Sequence, residues 1–70
     1  MKTLNANDFI KILRENGFVF DRQAKGSHEI WYNPTTRNRV VVANHGSKDI
    51  PKKTLRKMIG QSGLDVNKFR

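Results

Sequence analysis

The sequence lacks cysteine and is poor in proline and in acidic residues. Its 70 residues include no cysteine, two prolines and six Asp and Glu residues. The absence of cysteine excludes disulfides, thiolate zinc sites and cysteine nucleophiles. No Pro-rich or repetitive segment divides the chain, so we expect one domain over residues 1–70. A domain this small buries only about 60% of its unfolded surface, so its core must be regular and well packed.

Long hydrophobic runs are also missing. No apolar segment approaches the roughly 20 residues that span a bilayer, and the first residues carry charges where a secretory signal would be apolar. The acidic residues are dispersed without a metal-binding pattern, and no glycine-rich nucleotide loop follows a strand. We therefore expect a cytoplasmic protein that associates with no membrane and uses neither a metal nor a cofactor.

Basic residues dominate what the sequence does contain. Fourteen Lys and Arg residues against six Asp and Glu residues give a formal net charge of +8. A charge of this size on so small a domain favours a polyanionic partner, and nucleic acid is the first candidate. An anionic membrane surface is disfavoured, because no basic helix has a large aromatic apolar face.

The hydrophobic pattern predicts two helices around three strands. Asn5 or Asn7 caps a helix over 8–16, and Gly17 provides its left-handed end. A second helix opens at Pro51 and ends at Gly63. Strands are predicted over 18–22, 28–33 and 39–43. The joints between them are short, which favours an antiparallel meander.

The predicted fold is α+β, with the order α-β-β-β-α. Two helices on one face of a three-stranded antiparallel sheet cover that face and leave the other open. This is the layout of double-stranded RNA-binding domains, whose last helix begins with basic residues that contact phosphates. Here that helix begins with Lys52 and Lys53, followed by Arg56 and Lys57. We expect Lys52, Lys53 and Arg56 of this cluster to bind RNA; an ordinary solvated helix face is the alternative.

A histidine stands where the second strand is predicted to begin, at His28. Its imidazole can take or give a proton near neutral pH. RNA carries its own nucleophile, the 2′-hydroxyl, so one base and a few cations suffice for cleavage. Arg22 and Lys25 can hold the phosphate, Gly26 permits close approach, and Ser27 can donate a hydrogen bond to it. The simpler alternative is that His28 is only a polar strand residue.

Two other features leave alternatives open. His45, in the loop after the third strand, is either structural or a second proton-transfer group. Strand alternation puts His28 and Tyr32 on one sheet face and Glu29 and Trp31 on the other. Both faces carry apolar groups, so the pattern does not decide which of them is buried.

Several short motifs follow one another along the chain: NGF at 16–18, Arg22, GSH at 26–28, VVVANH at 40–45, KDIP at 48–51, TL at 54–55 and SGL at 62–64. Taken in this order, they resemble the HicA toxin family from Phe9 to Leu64. The resemblance implies a double-stranded-RNA-binding-like fold, an endoribonuclease that cleaves mRNA, and a HicB-like antitoxin as partner. It also implies that His28 is the catalytic histidine and that Gly26 belongs to the same motif.

The sequence departs from the family pattern at three positions. Glu29 stands where many members have a second histidine, Ala43 where many have proline, and Lys53 where many have glycine. We expect the carboxylate of Glu29 to lie beside the phosphate site. Two rival functions remain: a non-catalytic RNA-binding module of the same fold, and an interaction subunit whose sheet edge pairs with a partner.

Overall fold

The computed structural model describes residues 3–70 and has the predicted order of elements. These are α1 (Ala6–Glu15), β1 (Val19–Gln23), β2 (His28–Tyr32), β3 (Arg39–Ala43), α2 (Lys52–Ser62) and a 3-10 helix (Val66–Phe69). The α-β-β-β-α prediction and the α+β fold class are confirmed, and the bounds differ from the predicted ones by at most two residues. Within residues 3–70, neither α-helix has the length and apolar character needed to span a membrane.

Helix α1 begins two residues earlier than predicted because Asn5 caps it. The Asn5 side chain accepts a hydrogen bond of 2.8 Å from the backbone N–H of Asp8. This satisfies one of the donors that a helix start leaves free. The helix ends at Glu15, and Gly17 follows with a φ of +92°, which only glycine adopts at little cost. Pro51 precedes α2, which begins at Lys52.

The three strands form an antiparallel sheet in the order β1-β2-β3. Strand β2 is therefore the middle strand, and His28 pairs with Ala43 while Trp31 pairs with Val40. The pairing of β1 with β2 is regular except at one β-bulge: Phe20 lies opposite Trp31, and Arg22 lies opposite the next residue, Ile30. The bulge leaves one residue of β1 without its own partner and bends the strand.

A single core lies on one face of the sheet. Trp31, Val40 and Val42 project from that face. The helices contribute the other core residues, which include Phe9, Leu13, Leu55, Met58 and Ile59. Phe69 of the 3-10 helix is fully buried and stacks on Phe9 with 4.9 Å between ring centroids. The open question of the two faces is thereby settled, with Trp31 inside and His28 on the opposite face.

One edge of the sheet is covered by a helix and the other is exposed. Helix α2 covers the edge at β3, where the backbone N–H of Val41 donates a 3.0 Å hydrogen bond to Oε1 of Gln61. All five residues of β1 are exposed. On the open face, Val19 is 52% exposed and Val41 is 40% exposed. One face and one edge of the sheet are thus accessible to a partner.

The turn between β2 and β3 is organised by Asn33, which is only 5% exposed. Its Oδ1 accepts hydrogen bonds from the N–H groups of Thr35 at 2.9 Å and Thr36 at 3.2 Å. Its Nδ2 donates to the carbonyl of Asn16 at 3.2 Å. One side chain therefore shapes the turn and connects it to the end of α1.

Replacing Asn33 with alanine removes three hydrogen bonds at once. We expect Asn33→Ala to lower the free energy of unfolding by about 2–4 kcal/mol, because each bond contributes about 0.5–1.5 kcal/mol and its partners lose theirs. Urea unfolding followed by circular dichroism measures the change. Asn67→Ala, at an exposed position, is the control and should change the stability by about 0.5 kcal/mol or less. Equal effects of the two substitutions would contradict this account of the turn.

Candidate active site

His28 is the first residue of β2 and lies on the open face of the sheet, where its side chain is exposed. The connection from β1 holds its backbone firmly. Its carbonyl accepts hydrogen bonds from the N–H of Ala24 at 2.8 Å and from Nε2 of Gln23 at 3.0 Å. Gly26 makes the tight turn possible with a φ of +67°. The imidazole is thus accessible while its backbone is fixed.

A cavity of about 230 Å³ lies between His28 and α2. We call it the His28 groove, and its lining residues are His28, Val41, Ala43, Thr54, Lys57, Met58 and Gln61. The sheet and Met58 provide apolar surface, and α2 provides a hydroxyl, an ammonium and an amide. A base and a cation therefore share one groove whose walls are largely apolar.

The other predicted residues fall into two groups. Lys25, Gly26 and Ser27 form the turn that leads into His28, so they lie next to it. Lys52, Lys53 and Arg56 are exposed on α2 but, within residues 3–70, are not among the residues that line the groove. The same applies to His45, which lies in the loop after β3.

Arg22 reaches the His28 face because of the β-bulge. Cross-strand partners share a face, and the bulge pairs Arg22 with Ile30, which lies on the same face as His28. A regular register would have paired Arg22 with Glu29 and turned it to the core side. Its guanidinium is 62% exposed and lies 3.3 Å from the carboxylate of Asp21. An exposed pair of this kind is weak, so it leaves the guanidinium of Arg22 available to other partners.

Three groove residues were absent from the predicted site. Thr54, Lys57 and Gln61 lie on one side of α2, at the spacing of successive helical turns. That spacing is visible in the sequence. Nothing in the sequence, however, shows which side of α2 faces the open sheet, so the structure was needed to find them.

Comparison with known families identifies the chain. The family model described as HicA toxin of bacterial toxin-antitoxin matches residues 6–64. The chain belongs to the HicA toxin family. No curated protein sequence matches it. The family confirms the resemblance drawn from the motifs, makes the protein the toxin of a toxin–antitoxin pair, and implies an antitoxin as its partner.

Glu29, a departure from the HicA pattern, does not lie beside the His28 groove, and the expectation that it would is wrong. It points to the opposite face, where Oε1 accepts from Nε1 of Trp31 at 3.1 Å and Oε2 from Nδ2 of Asn44 at 2.7 Å. There it helps to line a second cavity of about 390 Å³, together with Lys11 and Arg14 of α1. Strand alternation separates the carboxylate from the histidine, although the two residues are adjacent in the chain.

Asn44 extends this connection back toward the histidine. Its side chain donates to Glu29, while its backbone N–H donates a 2.9 Å hydrogen bond to the carbonyl of Ser27. Glu29 and Asn44 together therefore join the start of β2 to the end of β3. In this HicA protein the glutamate therefore stabilises the fold around the site from the core side of the sheet.

No metal-binding cluster accompanies the groove within the part of the chain that the structure describes. Among residues 3–70, no three His, Cys, Asp or Glu residues are grouped so that they could hold a metal ion. The chemistry of the groove is that of an imidazole, an ammonium, a hydroxyl and an amide.

Removing the Glu29 carboxylate tests its structural role in this HicA fold. We expect Glu29→Ala to lower the free energy of unfolding by about 1–3 kcal/mol, since it leaves two partly buried donors without their acceptor. Thermal or urea unfolding measures the loss. Glu15→Ala, an exposed position on α1, is the control and should change it by about 0.5 kcal/mol or less. A Glu29→Ala protein as stable as the control would refute this role.

Proposed function

We propose that this toxin is a metal-independent endoribonuclease that cleaves mRNA, with His28 as its proton-transfer group. One observation carries the proposal: His28 is exposed on the open sheet face and lines a groove with a cationic side chain. Membership of a toxin family and the net charge of +8 support a polyanionic substrate.

The proposed reaction uses the 2′-hydroxyl of the RNA as nucleophile. The imidazole of His28 takes the proton of that hydroxyl, and the oxygen lone pair forms a bond to phosphorus. The bond from phosphorus to the 5′-oxygen breaks, its electrons leave with that oxygen, and the oxygen takes up a proton. The products are a 2′,3′-cyclic phosphate and a 5′-hydroxyl. In its imidazolium form, His28 can also be the acid that protonates the leaving oxygen.

The phosphate contacts of this proposal surround the histidine. Arg22, Lys25, Gly26 and Ser27 lie on the β1 side of His28 or in the turn before it. The cations exposed along α2 bind phosphates farther along the RNA strand. They are Lys52, Lys53 and Arg56. The rival function, a non-catalytic RNA-binding module, needs the same cations but not the histidine.

Replacing His28 with alanine separates these functions. We expect His28→Ala to lower the rate of RNA cleavage in EDTA by roughly 10²- to 10⁴-fold, the usual contribution of general acid–base catalysis. The fold and the RNA affinity should survive, because an exposed strand residue contributes little core volume and the cations remain. The measurement is single-turnover cleavage of a defined RNA, with binding measured separately.

His45→Ala is the matched control, since it removes the other histidine, which lies outside the groove. It should cleave at close to the rate of the unmodified protein. Undiminished cleavage by His28→Ala, or 3′-hydroxyl ends on the products, would exclude the mechanism. A protein that binds RNA and never cleaves it would be the binding module instead.

We further propose that the HicB-like antitoxin covers the open sheet face and its groove. Free ribonuclease activity harms the cell that makes it, and a charge of +8 favours an acidic inhibitor. The face offers partly exposed apolar side chains such as Val19 and Val41 as contact surface.

Hydrogen exchange with and without the antitoxin tests where it binds. We expect slower exchange in residues 24–28, which lead into the groove, and in residues 54–61 of α2. Residues 6–15 of α1, whose helix packs in the core on the opposite side of the sheet, are the internal reference and should change little. Protection confined to α1 would place the antitoxin on the wrong side of the sheet for this proposal.

A further inference from the structure

Lys57 is the cation that the structure brings into the His28 groove. It lies on α2, far from His28 in the chain, and its sequence position shows it only as one member of the basic cluster of that helix. Its neighbours Lys53 and Arg56 carry the same charge but, within the described part of the chain, do not line the groove. The packing of the helix therefore distinguishes one cation from the others.

The position of Lys57 is fixed by its own helix. Gln61, one turn farther along α2, accepts the 3.0 Å hydrogen bond from the backbone N–H of Val41. Leu55 and Ile59 bury the opposite side of the helix in the core. Because both sides of α2 are held, the backbone at Lys57 cannot rotate away from the sheet, and only its flexible side chain has to adjust to a ligand.

The surroundings of Lys57 in the groove are largely apolar. Val41, Ala43 and Met58 make the lining of the groove between Lys57 and His28 largely apolar. An ammonium acts more strongly on a neighbouring anion where water is partly excluded. A phosphate that enters this groove has an imidazole on the sheet side and an ammonium on the helix side.

We propose that Lys57 is a catalytic residue that binds the scissile phosphate and stabilises the charge that develops on it. The inference rests on the proposed ribonuclease function. As the 2′-oxygen bonds to phosphorus and the 5′-oxygen leaves, negative charge accumulates on the non-bridging oxygens. The Lys57 ammonium donates hydrogen bonds to these oxygens and keeps its own proton throughout. His28 transfers the proton, and Lys57 lowers the energy of the pentavalent species.

The test compares Lys57→Met with Lys11→Met. Both substitutions remove one positive charge and retain an unbranched side chain. The two positions differ because Lys11 lies on α1 and lines the cavity on the other face of the sheet. We expect Lys57→Met to lower the single-turnover rate constant at saturating RNA by roughly 10²- to 10³-fold, as loss of one oxyanion donor does. Lys11→Met should cleave at close to the unmodified rate. Lys57→Arg, which keeps the charge, should recover part of the loss.

Folding and binding controls keep the outcome clear. Lys57 is exposed, so circular dichroism should show an unchanged fold for Lys57→Met, and Lys57→Gln serves as a second variant without added apolar surface. RNA affinity should fall far less than the rate constant, because the interaction is stronger in the transition state than in the ground state.

Two kinds of failure can be distinguished in the same assay. If the unmodified protein cleaves, His28→Ala does not, and both Lys57→Met and Lys57→Gln cleave like Lys11→Met, then Lys57 is not catalytic while the ribonuclease proposal stands. If Lys57→Met weakens binding as much as it slows cleavage, Lys57 only binds the substrate, and the catalytic role is overturned. If the unmodified protein does not cleave RNA, both proposals fail together.

Discussion

The alternation of side chains along β2 is the constraint on which the rest of this structure depends. Because β2 is the middle strand, each of its residues must serve one face or the other. Trp31 and Glu29 take the side of the core and the second cavity, and His28 takes the open side. A shift of one residue in the register would bury the histidine and expose the tryptophan. The core and the candidate active site are therefore specified by the same pairing of strands.

A fold with one open face has consequences for so small a protein. With no disulfide available, the closed face must provide the stability, and Phe69 on Phe9 extends the core beyond the two helices and the sheet. Hydrogen bonds from Asn33 and from the Glu29–Asn44 pair connect loops that would otherwise be loosely held. The open face keeps its apolar side chains partly exposed, and it is where both RNA and an antitoxin are proposed to bind. Substrate and inhibitor would then compete for one surface.

The groove itself is assembled from elements that are far apart in the chain. The histidine comes from the start of β2, and the row of polar residues comes from α2. Outside the groove, a bulge in β1 puts Arg22 on the same sheet face as His28. These parts meet because α2 covers the edge of β3 through the contact between Gln61 and Val41. The contact supplies a hydrogen-bond partner to an edge strand and, at the same time, positions the cation that we propose to be catalytic.

The sequence by itself determined the order of the elements, the antiparallel meander, the strand position of His28 and the HicA family. Local signals suffice for these, because caps, turns and the alternation of residues depend on near neighbours in the chain. Only the tertiary structure decided that Trp31 and Glu29 take the core side, that the bulge pairs Arg22 with Ile30 on the His28 face, and that Lys57 rather than Lys53 lines the groove. Each of these depends on which strand register and which side of a helix give the best-packed core. Such choices are made by contacts between residues that are distant in the chain, and periodicity alone does not contain them.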